Sequence, residues 1–108
     1  MIVNSTKQEI SDLMMTEALN SYQYQRHWRS AAKSFANLNE IQSKLAIKGI
    51  ERHFNACRKQ DILPSHSACL EIILDARDGR QIWKESDKFF LNGLGKESKS
   101  AFQEKIRV

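Results

Sequence analysis

Proline occurs once in this chain, glycine four times and cysteine twice, and each scarcity excludes something. So few turn formers argue against an all-β fold with many tight turns. A hydrophobic content of 41% argues against a disordered segment and provides for a modest core. No apolar run reaches the roughly 18 residues a membrane span needs, so no membrane association is expected. Met1 to Asp12 lacks a basic stretch followed by an apolar one, which predicts no signal peptide and a cytoplasmic protein. Cys57 and Cys69 need not be bridged, because reduced thiols are the rule in a chain without a secretion signal. At 108 residues the chain is expected to form a single helical domain over 1–108.

What the sequence does have is charge of one sign in one place. Residues 25–60 carry Arg26, Arg29, Lys33, Lys44, Lys48, Arg52, Arg58 and Lys59 against only Glu40 and Glu51. The flanking stretches 1–24 and 61–90 each sum to −2, so the whole-chain +4 hides a block of +6. Segregated charge of this kind is the footprint of an anionic partner. A solvated helix face also carries Lys and Arg, but it usually mixes signs for i,i+4 pairing, and acids are scarce here.

The block is patterned as well. In helical projection Lys44, Lys48, Arg52, Asn55 and Lys59 fall within about 80° of one another. Ala46, Ile47, Ile50, Phe54 and Cys57 fall opposite, while Ile41 and Leu45 break the pattern and are expected at its margin. Upstream, Arg26, Arg29 and Lys33 share one face and Trp28, Ala31, Ala32 and Phe35 the other. Asn37 to Glu40 makes a polar break with an N-cap at Asn37 or Asn39. The reading is a long helical hairpin whose apolar faces point inward and whose basic stripes join in one patch.

The remaining elements follow from caps and spacing. Ser5/Gln8 and Thr6/Glu9 are two registers of a capping box, so the first helix starts near Thr6. It either continues to Ala36 or bends around Asn20-Ser21. The second helix spans about Glu40 to Lys59. Pro64 stops the chain and Ser65 caps a third helix, with Ala68, Cys69, Ile72, Ile73 and Ala76 on its buried face. Asp78-Gly79 is the strongest turn signal, and between two runs of strand formers it also fits a β-hairpin over 70–83; the spacing back to Ala68 favours helix. Further helices are expected at about Gln81 to Leu91 and Glu97 to Ile106. The fold class is therefore all-α, a small bundle of four to five helices.

The segment from Phe89 to Phe102 resembles the helix-hairpin-helix DNA-binding motif. Gly93, Leu94 and Gly95 match its turn, Ser98 its Ser/Thr position, and Ala101 and Phe102 its later apolar positions. That resemblance implies that backbone N–H groups at the turn and helix start, flanked by Lys96 and Lys99, hold a DNA phosphate. Lys99 departs from the usual small apolar residue, and Glu97 adds a negative charge nearby. Gly-x-Gly after a helix is also an ordinary C-cap. In the basic block, Trp28-Arg29-Ser30-Ala31-Ala32 with Arg52 and Cys57 resembles the small PerC-like transcriptional regulators of enterobacteria and prophages, which implies a gene-regulatory or phage accessory role.

Sites for chemistry are sparse. His53-x3-Cys57 and His66-x2-Cys69 have ligand types and spacings that a tetrahedral zinc site uses. In helical projection, however, Cys57 lies on a buried face with His53 at its edge, and both cysteines read equally as small core residues. No metal and no cofactor is assigned. His27, His53 and His66 are scattered, and no nucleophile–base set stands out. Asp75, Asp78, Glu85 and Asp87 lack the ligand spacing of a calcium loop. Trp83, Phe89 and Phe90 read as core, or as a docking surface if exposed. The expected function is DNA binding through Arg26, Arg29, Lys33, Lys44, Lys48, Arg52 and Lys59, joined by Gly93–Lys99, with no base-reading residue. The alternative is a non-enzymatic regulator or inhibitor of the phage or plasmid accessory type, docking its basic helices on a larger nucleic-acid-processing protein of the host.

Overall fold

Thr6 starts the first helix with a complete capping box. Its Oγ1 accepts the Glu9 N–H at 3.1 Å and its own N–H donates to the Glu9 carboxylate at 2.8 Å. Of the two registers in the sequence, the one with the acid at N3 is used. Helix α1 (Lys7–Asn20) buries Ile10, Met14 and Ala18 completely. The computed structural model describes residues 2–81, and among them every regular element is an α-helix. Over these residues the protein is an all-α helical bundle. The helices expected beyond Gln81, the Gly93–Lys99 turn with Lys96 and Ser98, and Trp83, Phe89 and Phe90 lie outside the described residues.

The chain bends at Ser21, as the Asn20-Ser21 alternative requires, and a turn over 22–24 leads into α2 (Gln25–Ala36). Trp28, Ala31, Ala32 and Phe35 are all buried. Lys7 reaches across from α1 to the end of α2, donating to the carbonyls of Leu38 at 2.8 Å and Ala36 at 3.3 Å. A cation at the negative end of a helix is favourable, and it satisfies carbonyls left without intrahelical donors. Asn37 closes α2, and Asn39 opens α3 (Glu40–Lys59) through a second capping box with Gln42. Ala46, Ile50, Phe54 and Cys57 are buried as projected, Ile47 of the same face is only half-buried, Leu45 packs at the margin, and Ile41 is exposed.

Helices α3 and α4 (His66–Arg77) both end in Schellman motifs. After α3, the Asp61 N–H donates to Arg58 O at 3.2 Å and the Ile62 N–H to Cys57 O at 2.9 Å. After α4, the Gly79 N–H donates to Ala76 O at 3.0 Å and the Arg80 N–H to Asp75 O at 2.8 Å. Such a terminus needs one left-handed residue, supplied by Gly79 (φ 76°) in one case and by Asp61 (φ 55°) in the other. Asp78-Gly79 is thus a helix stop, and residues 66–77 are helix rather than the first arm of a hairpin. Ser65 caps α4, its Oγ accepting the Ala68 N–H.

Packing pairs α1 with α2 and α3 with α4, and the pairs meet through α2 on α4 and α1 on α3. The backbones of α2 and α3, though consecutive, hardly approach each other. They meet across the core through the Trp28 and Phe54 rings, 6.2 Å apart. Helices α1 and α4 therefore stand between them. No buried side-chain N or O atom among the described residues lacks a hydrogen-bond partner.

Candidate nucleic-acid interface

The α2 stripe is where the sequence puts it. Arg26, Arg29 and Lys33 are exposed on the face opposite Trp28 and Phe35, and α2 contains no Asp or Glu. On α3, Lys44, Lys48 and Lys59 are exposed and Arg52 is half-buried. Lys44 meets Glu40 one turn back at 4.0 Å, an open pair of little strength. Arg77 and Arg80 pair with Asp75 and Asp78, and these pairs engage none of Arg26, Arg29, Lys33, Lys48 and Lys59.

The two stripes do not merge into one patch. With α1 and α4 between α2 and α3, they form two separate basic surfaces. The α3 surface is also partly covered. Asn55, projected among its solvated residues, binds the backbone of Ile2 in both directions: its Oδ1 accepts the Ile2 N–H and its Nδ2 donates to the Ile2 carbonyl, each at 2.8 Å. One turn back, Glu51 is only 6% exposed and accepts the Ser5 N–H at 2.6 Å. Residues 2–5 thus form a strap across the middle of the α3 basic face. A carboxylate and an amide inside a run of cations were the sequence signal for it.

Of the His/Cys set, His53, Cys57 and Cys69 are buried structural residues. Helical projection puts His53 at the edge of α3, yet it is fully buried, because the chain after Lys59 folds back over it to start α4. Its Nε2 accepts the Ser65 N–H at 2.9 Å, which leaves the ring proton on Nδ1, and Cys57 Sγ lies 3.7 Å and 3.9 Å from the two ring nitrogens. Burial lowers the His53 pKa to about 4. Burial, with the Glu17 carboxylate adding to it, pushes the Cys57 thiol up to about 12. Cys69 is raised in the same direction by burial, then by Cys57 and Glu17. Burial also raises Glu17. Both thiols are free and held protonated, the opposite of what metal ligation or nucleophilic attack needs. Among the described residues no three His, Cys, Asp or Glu side chains converge on a common centre. No described helix is long and apolar enough to cross a membrane.

A group of rings where α2 and α4 begin went unread in the sequence. His27 stacks on His66 at 4.7 Å with 23° between planes, and Tyr24 lies 5.1 Å from His66. The buried Trp28 meets His66 edge-on at 6.2 Å. The available signal was Tyr22, Tyr24 and His27 crowded around Arg26 and Arg29.

Comparison of the chain with protein-family models, with curated proteins and with solved structures finds no match. Among the described residues, fold and surface define a small all-α bundle with two basic helices.

Proposed function

We propose that this is a small, cytoplasmic, non-enzymatic regulatory protein that associates with nucleic acid by holding DNA phosphates on its basic helices. The observation that carries the reading is α2, a helix of twelve residues with three exposed cations and no acid. A one-signed helix face without intrahelical partners leaves its cations available to phosphates, and phosphate contacts supply most of the affinity in sequence-independent binding. Lys44, Lys48 and Lys59, with Arg52 beside them, provide a second basic face, narrowed by the strap. The Gly93–Lys99 turn would add a backbone phosphate contact of the helix-hairpin-helix kind.

The test is fluorescence anisotropy with a short duplex and a short single strand at two salt concentrations. Each phosphate contact steepens the fall of log K with log salt by about 0.9. Wild type should show a slope worth several contacts, and the triple change Arg26→Glu, Arg29→Glu, Lys33→Glu should reduce affinity at least about tenfold. No binding at low salt, or a triple variant that binds like wild type, would sink the reading. Salt-resistant capture of a protein partner through the same helices would then point to the docking regulator.

A further inference from the structure

We infer that the ring cluster where α2 and α4 begin is a base-stacking platform, and that the nucleic acid it takes is single-stranded. This inference rests on the nucleic-acid reading above and names its ligand more closely.

Three rings from two helices are assembled here. His66 is central, with His27 stacked on it and Tyr24 tilted against it. Trp28 buttresses His66 from the core side, which fixes the group on the rigid part of the fold. Water reaches the outer rings: His27 is exposed, Tyr24 is 42% exposed, and Tyr22, in the turn just before, is 97% exposed. Isolated exposed aromatics are common on protein surfaces, but rings in mutual contact whose outer members are exposed are a preformed π-surface.

The electrostatics match a polyanion threaded past that surface. Arg26 and Arg29 are exposed within the first two turns of α2, beside His27. Neither α2 nor α4 has an acid in its first turn, so the helix ends at the rings keep their positive dipole ends free of a carboxylate of their own. Aromatic faces that take bases, set beside cations that take phosphates, are the arrangement that binds single strands without reading sequence. A duplex cannot use it, because its bases are already stacked on one another and only their edges face the grooves.

The experiment compares three labelled probes of equal length by anisotropy titration of the full chain: a single strand, the same strand with abasic sites, and the duplex. Wild type should bind the base-bearing strand about tenfold or more tighter than the abasic one, the expectation for one or two stacked bases. Tyr24→Ala should erase that preference while leaving salt-dependent binding to the abasic strand, and Tyr24→Phe should keep it. Equal affinity for base-bearing and abasic strands would overturn the platform while phosphate binding stands. A preference that survives in a folded Tyr24→Ala chain would overturn it too. Absence of binding to all three probes would remove the platform together with the phosphate reading. The wild-type comparison decides the matter even if Tyr24→Ala fails to fold.

Discussion

His53 Nε2 accepts the backbone N–H of Ser65 at 2.9 Å, so a side chain of α3 fixes the residue that caps α4. The bond requires a neutral imidazole, and burial of the ring makes the charged form expensive.

A pH dependence follows from that bond. The unfolded imidazole titrates near 6.5 and the folded one at about 4. The folded pKa is depressed, so the contribution is complete above about 6.5 and is lost as pH falls from there towards 4. Chemical denaturation at pH 7 and at pH 4.5 should show wild type losing about 2 to 3 kcal/mol more than His53→Gln, whose amide oxygen accepts the same N–H without titrating. Equal losses in both chains would refute the assignment.

Asp61 occupies the left-handed position after α3 that Gly79 occupies after α4. A side chain there is strained, and a carboxylate at the negative end of a helix adds repulsion. Asp61→Gly should stabilise the fold by about 0.5 kcal/mol after allowance for the freer unfolded chain. Gly79→Ala should destabilise it by about 1 kcal/mol. Paired thermal melts would check both signs, and a lower Tm for Asp61→Gly would count against the motif.

The strap depends on Asn55. Replacing it with Ala removes both bonds to Ile2 and should cost about 1 to 2 kcal/mol. Hydrogen exchange should speed up at Ile2 and Ser5, while the amides of Ile50 and Phe54 within α3 keep their protection. Unchanged exchange at Ile2 would mean that the strap is held by something else. With the strap loosened, the α3 basic face is wider, so phosphate affinity through Lys44 and Lys48 should rise rather than fall.

The core was legible because its residues repeat. Trp28, Ala31, Ala32 and Phe35, then Ala46, Ile50, Phe54 and Cys57, then Ala68, Cys69, Ile72, Ile73 and Ala76 follow helical spacing, and every one of them is buried. Asn39 and Ser65 announced their helices by cap chemistry. Asp78-Gly79 was ambiguous for a physical reason: a hairpin turn and a Schellman stop both need a residue at positive φ, and the pair suits either. The strap left no periodic trace, because residues 2–5 form neither helix nor strand, with Asn4 at φ 53°, and are held by two side chains some fifty positions away. Tyr24, His27 and His66 come together only through the packing of α2 on α4, which no local pattern encodes. Arg26, Arg29 and Lys33 are exposed on α2 and Lys44, Lys48 and Lys59 on α3, while Arg52 and Asn55 are half-buried. The stripes do not join in one patch, because α2 and α3, though consecutive in the chain, are not packed neighbours.

Cys57 and Cys69 are the only cysteines in the chain, and both thiols are buried and protonated. For maleimide chemistry the native protein is therefore a nearly silent background. A single cysteine placed at Ser30, exposed beside Arg29 and Lys33, becomes the sole reactive handle, and a dye carried there reports on α2 without any native cysteine having to be removed.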